Sequence, residues 1–269
     1  MHIKINGHPL IPVSVSQFPD GQPHVTFNRS MYFSKEFVTL RSSIRSSEEL
    51  VQVLLVADTL RAQGVLGINL EIPYLMGARM DRRIDYTQPF TLKVIADIIK
   101  TGGFDSVNLF DAHSDVAPAL LGAENQLPWR QVKQVLQAYN DDPVIVIPDA
   151  GATKRVEGIL ELIGTNSLTV QCLKHRDSRT GKLSGFKVLA DSGVIEGRTC
   201  IIVDDICDGA GTFIALAEKL RTAGAKRVIL YVSHGIFSKG WTLPGIDDIW
   251  TTTSYRLDYP QNFNVIEAF

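Results

Sequence analysis

One stretch of the sequence decides the fold: Cys200-Ile-Ile-Val-Asp-Asp-Ile-Cys-Asp-Gly-Ala-Gly-Thr212. It opens with the apolar run 201–203, which is short enough to be a buried strand. Two aspartates follow at the expected carboxyl end of that strand, and then comes a loop that contains two glycines. Helical spacing over 213–220 predicts a helix after the loop, and the apolar run 227–232 predicts another strand. The stretch therefore predicts a strand–loop–helix–strand unit.

The loop between this strand and this helix is suited to holding a phosphate group. The backbone N–H groups of such a loop and the N-terminus of the following helix both attract an anion. Asp204 and Asp205 would repel a phosphate, so their place beside the loop needs another explanation. They fit the hydroxyl groups of a sugar, or a sugar whose charge is shared with Mg²⁺.

Length and composition narrow the class of protein. The chain has 269 residues, which suits two compact domains or one large one. Its formal charge of −2 gives no reason to expect binding to nucleic acid or to an anionic membrane. The three cysteines lack the spacing of a metal site and indicate reduced thiols in a cytoplasmic protein. We find neither a signal-peptide core nor an apolar run of about 18 residues, so no membrane span is expected.

Helical and strand patterns alternate along the rest of the chain. Strands are predicted within 1–28 and over 65–73, 106–110, 144–147 and 167–173. Helices are predicted over 50–62, 90–101, 131–139 and 154–163. This alternation predicts parallel sheets covered by helices, with functional loops at the carboxyl ends of the strands.

Turn signals divide the chain into two halves. The segments Asn125-Gln-Leu-Pro128 and Asn140-Asp-Asp-Pro143 both interrupt the periodic pattern, so we expect a boundary near them. The predicted domains are 1–135 and 136–269. In the second domain the polar stretch 174–185 has no clear periodicity and is expected to form a flexible hairpin or lid.

Residues 203–212 resemble the phosphoribosyl-binding signature that type I phosphoribosyltransferases share with ribose-phosphate diphosphokinases, also called PRPP synthetases. Further stretches favour the second family and occur in its order. They are Phe18-Pro-Asp-Gly-Gln22, Ile72-Pro-Tyr-Leu-Met-Gly-Ala-Arg-Met-Asp-Arg-Arg83, Asp111-Ala-His113, Pro148-Asp-Ala-Gly151, Leu173-Lys-His-Arg176 and Val232-Ser-His-Gly-Ile-Phe-Ser238. One such motif is weak evidence, but several in order are strong evidence. The chain is identified as a short, divergent member of the PRPP synthetase family.

The resemblance implies a fold, a reaction and a cofactor. The family has an α/β fold of two tandem phosphoribosyltransferase-like domains, each a mainly parallel sheet flanked by helices. Its members transfer the β,γ-diphosphoryl group of Mg·ATP to the anomeric 1-hydroxyl of ribose 5-phosphate, which gives PRPP and AMP. Such a transfer needs in-line positioning, a metal ion and cations around the transferring phosphates. We therefore expect a diphosphokinase with Mg²⁺ as cofactor, ATP and a ribose phosphate as substrates, and a homo-oligomeric state.

The resemblance also assigns catalytic and metal-binding roles. Lys174 and Arg176 would neutralise the transferring phosphates, and their spacing would aim both side chains to one side of an extended strand. Taken alone, this pair reads as a solvated charge cluster. His113 and Asp149 each follow a predicted strand and would hold Mg²⁺, for which a carboxylate is the more usual ligand. Asp111 would orient the imidazole of His113.

Two further sets of residues would bind the substrates, ATP in the first domain and the sugar phosphate in the second. Arg79 is the strongest ATP candidate, because a cation has an obvious role beside a triphosphate, whereas a lone phenylalanine beside a turn is usually a core residue. The ATP set is Phe18, Asp20, Gln22, Arg79, Asp81, Asp85 and His113. In the second domain, two aspartates would bind the ribose 2- and 3-hydroxyls and the loop would wrap the 5-phosphate. The sugar-phosphate set is Asp204, Asp205, Asp208, Gly209, Ala210, Gly211 and Thr212.

The sequence departs from the family pattern in ways that affect the substrate. Gly209 stands where the family usually has threonine, so a hydroxyl donor and the bulk of a side chain are both missing. This loss favours an acceptor larger than ribose 5-phosphate, such as ADP-ribose, which would place the enzyme in NAD metabolism. Met80 replaces a glutamine of the nucleotide loop. Residues 116–121 differ from a segment that the family uses for subunit packing, so its hexamer and its phosphate and ADP control are not carried over.

Two other functions stay open at this point. A phosphoribosyltransferase that consumes PRPP would explain the loop 203–212, but it would not explain Arg79 or the motif around His113. A non-catalytic, synthetase-associated regulatory protein would have a damaged metal or lysine site. The candidate metal and catalytic residues His113, Asp149, Lys174 and Arg176 are all present.

Overall fold

A computed structural model describes residues 2–5, 11–27, 33–139, 141–176, 183–189 and 193–269. The chain forms two compact units, Met1–Gln126 with Phe269, and Leu127–Ala268. The division falls before the helix Trp129–Ala138, whereas the predicted boundary at 135/136 falls inside it. The reason is packing, because Val132 and Val135 of this helix share an apolar cluster with the strands of the second unit.

The first unit contains a mainly parallel sheet. Its elements are β1 (His2–Ile5), β2 (Ile11–Pro12), β3 (Ser14–Gln17), β4 (Pro23–Thr26), β5 (Phe37–Arg41), α1 (Ser47–Ala62), β6 (Gly67–Ile72), α2 (Thr91–Thr101), β7 (Ser106–Phe110), α3 (Val116–Leu121) and β8 (Glu124–Gln126). The strand order is β2-β1-β5-β6-β7-β8, and β3 and β4 form a separate hairpin. Strands β5 to β8 are parallel, whereas β1 runs antiparallel to both of its neighbours.

Helix α1 begins three residues before the predicted start at 50, and a hydrogen bond to its N-cap residue fixes that start. Ser46 is extended, and its hydroxyl accepts a hydrogen bond from the Glu49 N–H at 3.2 Å. This contact satisfies one of the N–H groups that every helix leaves without a partner in its first turn. The buried face of the helix packs against the sheet through an apolar cluster. Its members on α1 are Leu50, Val53, Val56, Ala57 and Leu60.

The second unit is also built on a mainly parallel sheet. Its elements are α4 (Trp129–Ala138), β9 (Val144–Ile147), a 3₁₀ turn (Ala150–Ala152), α5 (Thr153–Ile163), β10 (Thr169–Arg176), β11 (Leu183–Leu189), β12 (Thr199–Cys207), α6 (Gly211–Thr222), β13 (Arg227–Gly235), β14 (Asp248–Thr252) and β15 (Phe263–Ile266). The strand order is β11-β10-β9-β12-β13-β14-β15, and only the pair β10–β11 is antiparallel. Apolar clusters cover both faces of this sheet, as expected when helices flank it on two sides.

The central strand β12 is longer than its apolar run predicts. It pairs with β9 only as far as Ile202, opposite Val146. Its pairing with β13 continues to Cys207, opposite Gly235. The strand therefore continues past the two aspartates to Cys207, because backbone pairing outlasts the apolar pattern. The acids lie within β12, just beyond the last residue that β9 pairs.

Buried side chains include all three cysteines. Cys172, Cys200 and Cys207 are free thiols, and burial raises the pKa of each, to about 12, 11 and 12 respectively. Thiols with such pKa values carry almost no thiolate near neutral pH.

Within the part of the chain that the structure describes, no helix has the length and apolar character needed to cross a membrane.

Candidate active site

The loop from β12 to α6 leads into a helix whose N-cap residue has no polar side chain. Ala210 is the N-cap residue, with left-handed backbone angles (φ 57°, ψ −5°), and it makes no side-chain cap hydrogen bond. Its carbonyl accepts from the Ile214 N–H at 3.0 Å, which closes the first turn. Since alanine has no polar side chain to satisfy the first N–H groups of α6, this end of the helix is suited to an external anion.

The aspartate pair lies at the carboxyl end of β12, beside this loop. Asp204 Oδ1 accepts a hydrogen bond from Arg155 Nη2 at 3.0 Å and another from the Asp205 N–H at 2.9 Å. Burial raises the pKa of Asp204 well above its usual value, and the charge of Asp205 raises it further, whereas Arg155 lowers it. The Asp205 side chain is buried. The structure therefore brings two carboxyl groups together next to the loop between β12 and α6.

Arg155 is a site residue that the sequence motifs missed. It lies in the first turn of α5, where a cation opposes the helix dipole. That unfavourable position is a weak signal that the residue has a tertiary partner. Its guanidinium also donates to the Val203 carbonyl at 3.4 Å, so it holds the end of β12 as well as the Asp204 carboxyl group.

Asp208 connects the loop to the segment that follows β13. Its Oδ1 accepts from Ser238 Oγ at 2.5 Å, and its carbonyl accepts from the Ser238 N–H at 3.1 Å. These contacts give Asp208 a positioning role in the loop, in addition to the phosphate contact that the resemblance implies. Gly209, Ala210 and Thr212 are half-buried and Gly211 is exposed, so the loop is open to a ligand.

Asp149 follows β9 and caps the 3₁₀ turn that leads into α5. Its Oδ1 accepts from the Ala152 N–H at 3.2 Å. The side chain is half-buried, and among the described residues its Oδ2 has no hydrogen-bond partner. One carboxylate oxygen is thus engaged and the other is available for a cation.

In the first unit, two candidate segments leave the same edge of the sheet. The loop 72–85 follows β6 and the motif 111–113 follows β7, and these two strands are parallel neighbours. Arg79 and Asp85 are exposed and Asp81 is half-buried. The Thr87 hydroxyl donates to Asp85 Oδ1 at 2.5 Å and lowers the pKa of that carboxyl group. This loop is therefore well placed for a polar ligand at the carboxyl edge of the sheet.

The two polar residues of the motif after β7 differ strongly in burial. Asp111 is fully buried and has a left-handed backbone (φ 46°), whereas His113 is exposed. The Asp111 N–H donates to the Gln126 carbonyl at 2.9 Å, and the Ala112 N–H donates to Asn125 Oδ1 at 2.9 Å. Strand β8 thus holds the backbone of this motif.

The predicted turn after residue 17 joins β3 to β4 and shows an exposed aromatic ring. The Phe18 N–H donates to the Gln22 carbonyl at 2.9 Å, and Asp20 Oδ1 accepts from the Gln22 N–H at 3.1 Å. Phe18 is 48% exposed, and its only recorded ring contact within the described segments is His24, with centroids 5.2 Å apart. A core role for this phenylalanine is therefore wrong, which leaves its ring open to stacking.

Lys174 and Arg176 lie near the end of β10, which pairs with β11 in an antiparallel hairpin. The ladder register shifts between His175 and Arg176. The strand continues to Arg176, beyond the predicted end at 173. The middle of the predicted lid, residues 177–182, lies outside the described residues.

Together, the folds of the two units and the loop after β12 define a class, that of tandem phosphoribosyltransferase-type proteins. A model of the "N-terminal domain of ribose phosphate pyrophosphokinase" matches residues 3–103, and a model of the "Phosphoribosyl transferase domain" matches 125–254. The ribose-phosphate pyrophosphokinase of Vibrio cholerae is 31% identical over 84% of this chain and 71% of its own length. That of Xylella fastidiosa is 30% identical over 87% of this chain and 72% of its own length. The chain therefore belongs to the ribose-phosphate pyrophosphokinase family, a family of diphosphotransferase enzymes.

The fold has a solved counterpart. The crystal structure of phosphoribosylpyrophosphate synthetase from Mycobacterium smegmatis is similar, with a TM-score of 0.77 over 95% of this chain and 86% of that chain, at 22% identity. This similarity, with the two family models, confirms the predicted α/β fold of two tandem phosphoribosyltransferase-type domains.

Proposed function

We propose that this protein transfers the β,γ-diphosphoryl group of ATP to the 1-hydroxyl of ribose 5-phosphate, giving PRPP and AMP. One observation carries the proposal: a pair of carboxyl groups lies beside the N-terminus of α6, whose N-cap residue is an alanine, at the carboxyl edge of the second sheet. This arrangement matches ribose 5-phosphate, which has hydroxyl groups on one side and a phosphate on the other. Membership of the ribose-phosphate pyrophosphokinase family supports the same assignment.

The acceptor is held by complementary groups of the second unit. Asp204 and Asp205 accept hydrogen bonds from the 2- and 3-hydroxyls of ribose, and Arg155 holds the Asp204 carboxyl group in place. The first N–H groups of α6 bind the 5-phosphate, together with the Thr212 hydroxyl. Charge-assisted hydrogen bonds of this kind contribute about 1.5–3 kcal/mol each.

The nucleotide is held by the first unit. The exposed ring of Phe18 stacks on adenine, and the exposed guanidinium of Arg79 contacts the phosphates. Asp20, Gln22, Asp81 and Asp85 supply further polar contacts. Backbone contacts fix the Met80 position, since its N–H donates to the Gly77 carbonyl at 2.9 Å and its carbonyl accepts from the Leu92 N–H at 3.2 Å.

The transfer itself needs positioning and charge neutralisation rather than a covalent intermediate. The anomeric oxygen attacks the β-phosphorus, the bond from that phosphorus to the bridging oxygen of AMP breaks, and the hydroxyl proton is released to solvent. Lys174 and Arg176 stabilise the negative charge on the transferring phosphates, which is the main contribution a protein can make to phosphoryl transfer.

Of the two candidate metal ligands, Asp149 offers the oxygen chemistry that Mg²⁺ prefers. Asp149 has one carboxylate oxygen without a partner among the residues described, and His113 is exposed. Mg²⁺ in such enzymes is bound by one or two carboxylates together with water and substrate phosphates, so a dedicated cage of protein ligands is not required. When bound, Mg²⁺ would neutralise charge on the ATP phosphates; Asp149 and His113 are the residues that would hold it.

An AMP-release assay with Mg·ATP and a panel of acceptors tests the proposal. Release of AMP that depends on ribose 5-phosphate, with PRPP as the second product, is the expected result. Turnover of PRPP with a nucleobase, without ATP, would instead identify a phosphoribosyltransferase. Absence of turnover with every acceptor would favour the non-catalytic regulatory protein.

ADP-ribose is the second candidate acceptor, and Gly209 favours it. ADP-ribose keeps a free anomeric hydroxyl on its terminal ribose, while its 5-phosphate is part of a diphosphate. The side chain of Lys239 fills the space beside Gly209, but the loop is exposed at Gly211, so the phosphate can continue into a larger group there. Comparing kcat/KM for the two acceptors decides between them, and a clear preference for ribose 5-phosphate would exclude ADP-ribose as the main substrate.

The homo-oligomeric state stays a prediction, which light scattering of the purified chain tests. α3 carries the segment 116–121 that departs from the family pattern. We therefore expect a dimer or higher assembly without assigning the family's hexamer to it.

A further inference from the structure

The side chain of Lys239 lies along Gly209 of the phosphate-binding loop. A Cβ atom placed on Gly209 would stand 3.3 Å from both Cδ and Cε of Lys239. The lysine stem therefore occupies the space beside residue 209 that a larger side chain would need. Because Nζ is bonded to Cε, the ammonium group lies one bond beyond a carbon that would contact a Cβ atom at residue 209.

Hydrogen bonds fix the turn that carries Lys239 to the loop itself. The N–H groups of Ile236 and Phe237 both donate to the Cys207 carbonyl, at 2.8 and 3.0 Å. The Ser238 N–H donates to the Asp208 carbonyl at 3.1 Å, and the Ser238 hydroxyl donates to the Asp208 carboxylate at 2.5 Å. The backbone next to Lys239 is thus held to the residues immediately before Gly209.

An aromatic cluster packs against the same turn. Phe237 has a left-handed backbone (φ 49°) and is buried. Its ring lies 5.1 Å from the ring of Phe263 and 5.8 Å from that of Trp241, measured between centroids. A non-glycine residue adopts this backbone only where its surroundings compensate for the strain. The position of Lys239 is therefore determined by the fold rather than by the lysine itself.

The ammonium group of Lys239 is available to a ligand. The side chain is exposed, and within the described ranges it has no ion pair and no hydrogen bond. Yet it lies near a loop flanked by the carboxyl groups of Asp204, Asp205 and Asp208. Those acids repel a phosphate. A cation at this position therefore offsets that repulsion where the phosphate is expected to bind.

We propose that Lys239 is a specificity-determining residue, whose ammonium group donates to the phosphate on the 5-oxygen of the acceptor. It takes the place of the hydroxyl that the family's usual threonine offers at position 209, and the absence of a side chain at Gly209 is what lets it approach. This inference rests on the proposed function of the loop. A lysine acts as a compact charge without the fork geometry of arginine, so it suits either a phosphate monoester or the first phosphate of a diphosphate.

Lys239→Met tests the proposal because it keeps most of the stem and removes the charge. We expect KM and the calorimetric Kd for the acceptor to rise by roughly 10- to 100-fold, the range for loss of one charge-assisted hydrogen bond. The KM for ATP is expected to stay within about twofold. Lys239→Arg should retain most of the affinity. Lys226→Met, which removes an exposed lysine before the first residue of β13, is the matched control and should change neither constant.

A double-mutant cycle tests whether the contact with Gly209 matters. Gly209→Ala places a methyl group against the lysine stem and is expected to weaken acceptor binding in the presence of Lys239. In the Lys239→Met background the same change should have a smaller effect, because no charged group remains to be displaced. Equal effects of Gly209→Ala in both backgrounds would overturn the proposed coupling.

Binding and turnover together separate failure of this inference from failure of the proposed function. If the enzyme releases AMP but Lys239→Met leaves both acceptor constants unchanged, the role of Lys239 is overturned and the proposed function stands. If no acceptor gives AMP, yet Lys239→Met weakens calorimetric binding of an acceptor, the proposed reaction fails and the phosphate contact is supported. Running ribose 5-phosphate and ADP-ribose in parallel shows which phosphate Lys239 serves, since the loss should be larger for the true acceptor.

Discussion

Arg155 Nη2 lies 3.0 Å from Asp204 Oδ1, and only 11% and 18% of the surface of the two side chains is exposed. The pair joins the first turn of α5 to the end of β12. Burial and the charge of Asp205 raise the pKa of this carboxyl group, and the guanidinium of Arg155 opposes that rise. The pair therefore fixes the orientation of a carboxyl group that we propose to bind the sugar, and it also links stability to pH.

Asp204→Asn is expected to change how stability depends on pH. Burial raises the pKa of Asp204 in the folded protein above its unfolded value of about 3.9. The folded state thus binds this proton more tightly, so the stabilisation is fully present below the unfolded pKa and is lost as pH rises through the folded pKa. Relative to the wild type, Asp204→Asn should gain in free energy of unfolding from about pH 4 upward and then level off. Urea unfolding at pH 4 to 8 measures this difference.

Asp97→Asn is the control for that experiment, and the expected sign is opposite. A hydrogen bond from Lys93 lowers the pKa of Asp97 on the exposed face of α2. Its stabilisation is present above the unfolded pKa and is lost as pH falls through the folded pKa. A difference between wild type and Asp204→Asn that did not vary with pH would contradict the assigned direction.

Phe18→Ala is expected to weaken ATP binding without affecting the fold. The ring is 48% exposed, so its removal creates no core cavity. Loss of a stacked aromatic contact of about 1.5 kcal/mol corresponds to a rise of roughly tenfold in the KM for ATP. Phe37→Ala removes another exposed ring, 59% accessible, at the start of β5 and should leave that KM unchanged. Equal kinetics for wild type and Phe18→Ala would remove Phe18 from the nucleotide site.

Gly77→Ala is expected to destabilise the first unit and to disturb the nucleotide loop. Gly77 has a φ of +75°, and an added Cβ would come within 2.6 Å of Ile95 Cδ1 on α2. We expect a loss of about 2–4 kcal/mol from backbone strain and the clash together, with a raised KM for ATP because Arg79 follows in the same loop. Gly122→Ala is a matched control, since φ is +62° there and no atom lies within 4 Å of an added Cβ.

Thermal unfolding and ATP kinetics of Gly77→Ala and Gly122→Ala measure the difference between the two variants. Gly122→Ala should show only the cost of left-handed backbone, about 1–2 kcal/mol, with normal ATP kinetics. If both variants lost the same free energy of unfolding, the clash with Ile95 would not contribute to the destabilisation of Gly77→Ala.

Local sequence patterns predicted those elements whose boundaries are marked by composition. β9 occupies 144–147 as predicted, because an apolar run lies between Pro143 and Pro148 and is buried throughout. β7 occupies the predicted 106–110. The strand–loop–helix–strand order around the opening stretch is also confirmed. In each case the residues that determine the secondary structure lie within the element or directly beside it.

Contacts between distant segments could not be predicted in the same way. β12 continues past its apolar run because β13 pairs with it as far as Cys207, which depends on a strand more than twenty residues away. The partnership of Arg155 with Asp204 joins residues 49 positions apart. The approach of Lys239 to Gly209 depends on the turn held by the Cys207 carbonyl. The motifs identified the loop, but tertiary packing determines which charges surround it.

Lys174→Ala is expected to lower kcat by about 10²-fold or more while the KM for both substrates changes little. The physical reason is that charge on the transferring phosphates develops most in the transition state, so a cation placed there lowers the barrier more than it tightens binding. Single-turnover AMP release with saturating ATP and acceptor measures the chemical step. Lys174→Arg should recover part of the rate, and Lys133→Ala, an exposed lysine on α4, should behave as wild type. Thermal unfolding is expected to be unchanged in all three variants, and retained turnover in Lys174→Ala would show that the charge neutralising the phosphates comes from other residues.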